Sequence, residues 1–267
     1  MTSIQNVGQG ITSTPTDIGE NCSQDAMGRA IKPVTVKRAW YLPVKSCLDW
    51  CGALILLILT APFTLLGIIL IKVTSPGPAF YLQTRLGQND TPYKVIKLRT
   101  MIHNAEAKTG AVWSQAGDPR VTKIGRILRK THIDEFPQLI NVLLGQMSLV
   151  GPRPERPEIA FKLAWELKHY EDRTLVKPGI TGLAQLRLPP DSDIEGVRRK
   201  LACDLFYVQE VSPWLDLRIF IFTGWLFAEV FLKAAWRRIY VPDARCITES
   251  VDHYFPEGID LKPRSES

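Results

Sequence analysis

The stretch "THIDEFPQLINVL", residues 131–143, sets two carboxylates, Asp134 and Glu135, side by side where an apolar helix is expected to begin. Two readings of Asp134 fit. It has the position of a helix N-cap, with Pro137 tolerated in the first turn and Leu139, Ile140, Leu143 and Leu144 forming an apolar side. It also has the position of a nucleophile. The helix dipole and nearby Arg129 and Lys130 would keep the carboxylate ionised, and backbone N–H groups could receive phosphate oxygens. A carboxylate that attacks phosphorus forms an acyl phosphate and divides one phosphoryl transfer into two steps. Such chemistry needs cations, for which Arg129, Arg153 and Lys97 are candidates, and a second carboxylate such as Glu135 is suited to hold Mg²⁺.

Other catalytic signatures are missing. The chain has no G-x-x-x-x-G-K-[ST] loop, no H-E-x-x-H and no G-x-S-x-G, so nucleotide-hydrolase, zinc-protease and serine-hydrolase readings lack support. Five cysteines (Cys22, Cys47, Cys51, Cys203 and Cys246) form no C-x-x-C pair, which fits a reducing compartment. Cys47 and Cys51 share a helix face at most, and two thiols alone make a poor zinc site.

The 267 residues carry 33 Lys+Arg against 27 Asp+Glu, a net charge of +6, and 45% are hydrophobic. The basic balance favours anionic partners without choosing among phosphates, nucleic acid and acidic lipid. Residues 1–40 begin with a Ser-, Thr-, Gly- and Asn-rich stretch without the basic start and apolar core of a signal peptide, and are expected to be a disordered tail.

From Cys51 to Ile71, "CGALILLILTAPFTLLGIILI" runs 21 residues without a charge. A straight helix of that length measures about 32 Å, near the ~30 Å hydrocarbon core of a bilayer. Pro62 in its middle removes a backbone hydrogen bond and predicts a kink. Basic residues lie on both flanks: Lys32, Lys37, Arg38 and Lys45 before, and Lys72, Arg85, Lys94, Lys97 and Arg99 after. A spanning helix concentrates them on one side. A bent re-entrant helix and an ordinary span or core helix both fit the residues.

After the "SPGP" break, residues 79–101 predict a β-hairpin around a polar turn at Gly87–Thr91, with Lys94, Lys97 and Arg99 close together in its second half. "DPRVTKIGRILRK" predicts an amphipathic helix with a basic face, either a solvated surface or a phosphate- or membrane-facing stripe. Two proline-rich loops follow. In "GPRPERPE", Pro152 and Pro154 restrict the backbone beside Arg153; in "VKPGITG", Pro178 and Gly179 suit a type II turn. Helices are expected near 159–170 and 194–209. The apolar stretch from Pro213, interrupted by Asp216, Arg218 and Glu229, is expected as a core or interface-lying helix bearing Trp214, Trp225 and Trp236.

These motifs resemble the bacterial sugar transferases, the monotopic phosphoglycosyl transferases. The resemblance runs from about Lys45 to Leu232 through "KSCLDW", "SPGPAFYLQTRLGQ", "YKVIKLRTM", "DPRVTKIGRILRK", "DEFPQLINVLLGQMSLVGPRP", "VKPGITGLAQL" and "DLFYVQEVSPWLDLRI". It implies an α+β, predominantly helical fold: a helix-break-helix re-entrant anchor at 41–75, then a compact cytoplasmic catalytic domain at 76–240 with a small hairpin and a C-terminal interfacial helix, and a polar tail at 241–267. It implies transfer of a sugar 1-phosphate from a UDP-sugar to polyprenyl phosphate with release of UMP, the first step of a lipid-linked glycan or exopolysaccharide.

By the same resemblance, Asp134 is the nucleophile, and Glu135 its partner and a Mg²⁺ ligand. Arg129 and Arg153 bind substrate phosphates, Lys97, Arg99 and Arg85 lie in matching basic stretches, and Pro62 breaks the anchor helix. The implied location is the cytoplasmic face of the bacterial inner membrane, with downstream glycosyltransferases as partners and no nucleic acid. A catalytically silent scaffold that recruits assembly enzymes is the alternative. Two positions depart from the family pattern. Ala61 replaces a common Ser before the proline, leaving Thr60 or Thr64 to satisfy the freed carbonyl, and His132 stands where a small hydroxyl residue is common. The sugar is not legible.

Overall fold

In the computed structural model, residues 34–103, 105, 117–188 and 194–229 are described. Helix α1 (Tyr41–Thr74) runs for 34 residues, about 51 Å at 1.5 Å per residue. Its buried residues follow helical spacing at its two ends: Tyr41, Lys45, Asp49 and Ala53 in the first half, and Gly67 and Ile71 in the second. The opposite face exposes Leu48, Ile55, Ile58, Leu59, Phe63, Leu66 and Val73. Only 11% of its most apolar 18-residue window is buried, which separates it from the core helix of a soluble protein.

The break expected at Pro62 is not observed, because helical structure continues through it. Pro62 lacks the N–H that would bond to the Ile58 carbonyl, so a single intrahelical bond is lost. Neither threonine replaces that bond. Thr60 Oγ1 donates to the Leu56 carbonyl at 2.7 Å and Thr64 Oγ1 to the Thr60 carbonyl at 3.1 Å, each bonding back one turn.

Both ends of α1 are fastened to the same domain. At its start, Lys45 pairs with Asp216 at 2.7 Å and Asp49 at 3.4 Å, Tyr41 donates to Asp216 at 2.9 Å, and Ser148 Oγ donates to Asp49 at 2.6 Å. Lys45 is therefore an interior charge rather than part of the basic flank, and Asp216, which interrupts the apolar stretch in sequence, is its partner. At its end, Arg99 donates to the carbonyls of Pro76 and Ser75 at 2.8 and 2.9 Å.

Strands β1 (Phe80–Leu86) and β2 (Pro92–Leu98) form the anticipated antiparallel hairpin, pairing Phe80 with Leu98 and Leu86 with Pro92. Its tight turn holds Asn89 and Asp90 at φ of 50° and 56°, a left-handed geometry that Asn and Asp tolerate. Helix α2 (Lys123–Thr131) is capped by Thr122, whose Oγ1 accepts from the Gly125 N–H at 2.9 Å. Gly125 lies against the hairpin's exit so closely that a Cβ there would stand 1.9 Å from the Thr100 carbonyl oxygen.

Helix α3 (Gln138–Leu143) leads into β3 (Ser148–Val150), which pairs in parallel with β4 (Gly179–Thr181). The two proline-rich loops thus come together. Gly179 is not at positive φ, so the type II turn expected at Pro178–Gly179 is absent. The glycine is needed for contact instead, since its Cβ would lie 2.1 Å from the Gly151 nitrogen. Helices α4 (Pro157–Glu166), α5 (Leu183–Arg187), α6 (Ile194–Glu210) and α7 (Pro213–Glu229) complete the α+β, mainly helical domain.

α6 is buried on all sides from Leu201 to Val208 and forms the centre of the main core with Val150, Tyr170, Val176, Leu183 and Ile219. Within the stretch expected as a tail, Val34 is buried in this core and Lys37 and Arg38 pair with Glu210. Residues 1–33 and 230–267 lie outside the described residues, as do the polar C-terminal tail and Trp236.

Candidate active site

Asp134 lies in a 3-10 turn, Ile133–Glu135, between α2 and α3. His132, left-handed at φ 55°, ends α2 and reverses the chain. Ile133 then packs toward Gly67 of α1, where a Cβ would be 3.7 Å from its Cγ2. This anchors the turn to the apolar helix and places Asp134 next to it. Asp134 is 8% exposed and caps nothing, because α3 begins four residues later behind Pro137 without a side-chain cap. The N-cap reading is thereby removed.

Glu135 is the electrostatic centre. Lys97 Nζ of β2 and Arg153 of the Pro152–Pro154 loop both donate to its Oε1, at 2.7 and 2.8 Å. Burial alone would raise its carboxyl, but Arg153 and Lys97 outweigh it and hold Glu135 well below the usual carboxylate range. Burial lowers Lys97, with Glu135 opposing, while Glu135 raises Arg153.

Asp134 behaves oppositely. Burial and then the Glu135 charge push its carboxyl above the ordinary value, with Lys97, Arg129 and His132 in partial opposition. Arg129, invoked from sequence to keep it ionised, does favour the charged form, but burial and Glu135 outweigh it. The result is a carboxylate more basic than usual beside one that stays ionised, a division of roles found in pairs that do covalent chemistry.

The five cations separate into two groups. Lys97 and Arg153 meet at Glu135, and Arg129, held by Nε donation to Thr100 Oγ1 at 2.8 Å, bears on Asp134 through its charge. Arg99 is 6% exposed and holds the Ser75 and Pro76 carbonyls; Arg85 bonds to the Pro154 carbonyl at 3.1 Å and to Glu155 at 3.2 Å. Both support the loops around the site from outside the Asp134–Glu135 pair.

Sequence reasoning missed three residues. Asn141, fully buried, donates to the Lys94 carbonyl at 2.8 Å and accepts from the Ile96 N–H at 3.0 Å, fastening α3 to the strand that carries Lys97. An amide within the apolar run "LINVLL" was a usable signal. Thr100 positions Arg129, and Arg173 donates to the Arg153 carbonyl at 2.7 Å; neither has a pattern that marks it.

Among the described residues, no group of three or more His, Cys, Asp or Glu side chains gathers at metal-binding distance. The donor set does suit a cation completed by substrate. Both hydrogen bonds to Glu135 fall on Oε1, leaving Oε2 and the adjacent Asp134 carboxylate, and Mg²⁺ is commonly held by one or two carboxylates plus phosphate oxygens.

The bacterial sugar transferase family matches residues 40–229. The chain is similar to a UDP-glucose:undecaprenyl-phosphate glucose-1-phosphate transferase of Caulobacter vibrioides, 44% identical over 181 residues, which are 67% of each chain. It is also similar to the exopolysaccharide production protein PSS of Rhizobium leguminosarum, 42% identical over 184 residues, 67% of this chain and 92% of that one. A UDP-N-acetylgalactosamine-undecaprenyl-phosphate N-acetylgalactosaminephosphotransferase of Aeromonas hydrophila is 40% identical over 179 residues, where this chain spans only 42% of the relative's length. The shared region contains the apolar helix, the hairpin and the Asp134 turn. The chain belongs to the bacterial sugar transferase family.

Proposed function

We propose that Asp134 attacks the sugar-bearing phosphorus of a UDP-sugar. A bond forms from the carboxylate oxygen to phosphorus, the bond from phosphorus to the bridging diphosphate oxygen breaks, and UMP leaves with that electron pair. An oxygen of polyprenyl phosphate then attacks the phosphosugar-aspartyl intermediate. Asp134 departs as a carboxylate, and the product is a polyprenyl diphosphate sugar. The observation that carries this reading is the buried, non-capping Asp134 beside a Glu135 held ionised by Lys97 and Arg153.

In this mechanism Arg153, Lys97 and Arg129 neutralise the phosphoryl oxygens, and Glu135 keeps the first two in place. Mg²⁺, held by Glu135 and Asp134, would supply further neutralisation of the diphosphate. The product initiates a lipid-linked glycan for exopolysaccharide or a related polymer. No observation favours the silent scaffold, and the intact carboxylate pair opposes it.

We infer that α1, unbroken at Pro62, keeps both ends on the cytoplasmic face and immerses only its exposed apolar side, with α7, whose Trp214 and Leu217 are exposed, at the interface. Support comes from the attachment of both helix ends to one domain, at Asp216 and at Arg99, which a spanning helix does not permit. In a background without the native cysteines, Arg38→Cys and Ser75→Cys are both expected to resist a membrane-impermeant thiol reagent applied from the periplasm. Ready labelling of one and not the other would show a span.

The reaction is tested by incubating the detergent-solubilised protein with UDP-sugars, undecaprenyl phosphate and Mg²⁺. UMP is the expected nucleotide product. UDP as the product would mean transfer of the sugar alone and would remove Asp134 from its role. The same panel identifies the sugar, on which the relatives divide between glucose and N-acetylgalactosamine.

A further inference from the structure

Beside Arg153 the domain contains a cavity of about 90 Å³. Its walls come from the hairpin turn, the loop around Pro152 to Glu155, α4 and the 3-10 turn Glu171–Leu175. Arg153 lines it, and the same guanidinium donates to Glu135 Oε1. Arg153 is therefore common to the cavity wall and to the carboxylate pair. None of the lining residues belongs to α1, α2 or α3. The cavity is thus built without those three helices.

We infer that this cavity receives the pyrimidine base of the donor nucleotide, so that the diphosphate extends past Arg153 to Asp134. The inference rests on the sugar-nucleotide reading above and adds where the leaving half of the donor is held.

Size is the first argument. Pockets that enclose a whole drug-sized ligand measure roughly 300–1,000 Å³, so 90 Å³ accommodates one ring rather than a complete sugar nucleotide. Lining chemistry is the second. Leu86, Ala160, Ala164 and Val176 give mainly apolar walls, which suit a flat base better than a polyhydroxyl sugar. Phe161, 63% exposed, offers a ring face for stacking.

Charge is the third argument. Asp90, Glu155 and Glu171 line the cavity with Arg153 and Arg173, and both arginines are engaged elsewhere, by Glu135 and Asp204, so a neutral part of the donor belongs there and the diphosphate belongs beyond Arg153. The arrangement also sorts the two halves of the donor. The base lies across Arg153 from the carboxylate pair, and the sugar phosphate lies beside the Asp134 turn, which packs toward α1, where the lipid acceptor arrives.

The test is calorimetric titration of the full-length, detergent-solubilised protein with UMP, ribose 5-phosphate and glucose 1-phosphate. Wild type is expected to bind UMP at least about tenfold more tightly than ribose 5-phosphate, which lacks the base. Ala164→Phe, which fills the cavity, should weaken UMP by about tenfold or more and leave both sugar phosphates unchanged. Phe161→Ala removes an exposed ring and should weaken UMP several-fold; it decides the matter if Ala164→Phe melts early.

Unchanged UMP binding in the folded variants, no UMP binding by wild type, or a selective loss of glucose 1-phosphate in Ala164→Phe would each overturn the inference. The proposed reaction fails separately. UMP binding that depends on the cavity, combined with UDP as the turnover product, would retain the pocket and remove the mechanism. UMP release with binding indifferent to Ala164→Phe would do the reverse.

Discussion

Asp134→Asn is expected to lower turnover by at least about a thousandfold while leaving UMP binding and membrane association unchanged. The amide has nearly the same shape as the carboxylate, so the buried turn at Ile133–Glu135 keeps its packing. Its oxygen and nitrogen are poor nucleophiles toward phosphorus, and without an acyl phosphate the two-step path is closed. Two measurements check this. Steady-state UMP release gives the loss of rate, and acid quenching after mixing with a donor labelled in its sugar should leave label on wild-type protein and none on Asp134→Asn. Turnover near the wild-type level in a variant confirmed by mass would sink the covalent mechanism, because no other described carboxylate takes Asp134's place beside Glu135.

The same residue sets a pH dependence whose sign follows from its surroundings. Asp134 must be ionised to attack, and burial with the Glu135 charge raises its carboxyl above the ordinary aspartate value. The rate should therefore fall as pH drops through a midpoint higher than that of a solvent-exposed aspartate. Glu135, depressed by Arg153 and Lys97, stays ionised throughout this range and contributes no second step. A kcat profile whose acid limb lies at or below the usual carboxylate range would contradict the assignment.

How much of this was legible follows from the range of the interactions. The hairpin, the capped basic helix and the apolar helix rest on local pattern: alternating residues around a turn, Thr122 before a periodic run, and 21 uncharged residues. The β3–β4 pair was invisible because its strands are three residues each, too short for alternation, and their approach depends on Gly151 and Gly179 meeting across the sequence. The candidate site was legible in residue type and partly in assignment. Asp134, Glu135, Lys97 and Arg153 are brought together, but nothing in a basic stretch says that Lys97 reaches Glu135 while Arg99, two positions on, holds the end of α1. Lys45 was similarly counted as a membrane flank when its partner Asp216 lies 171 positions away. Partner choice among like charges is decided by the fold.

Arg173 shows the energetic consequence of such hidden pairing. Its guanidinium pairs with Asp204 of α6 at 2.7 Å, their side chains being 5% and 2% exposed, and it also bonds to the Tyr170 hydroxyl and the Arg153 carbonyl. Arg173→Met keeps much of the volume and removes the charge that pairs with Asp204 in the core. Breaking such a pair from one side costs about 3–5 kcal/mol, and for a chain of this size each kcal/mol lowers the melting temperature by about 2–4 °C. A fall of about 10 °C is therefore expected in detergent. Arg173→Met with Asp204→Leu should recover part of it, since the ion pair is then removed from both sides. Activity should not recover in parallel, because the Arg153 carbonyl still lacks its donor and the loop that presents Arg153 to Glu135 is less firmly held. The double variant should show a raised KM for the UDP-sugar despite its recovered stability. A single variant that melts with wild type would show that Arg173 does not stabilise the core, and a double variant with full activity would show that it does not position the site.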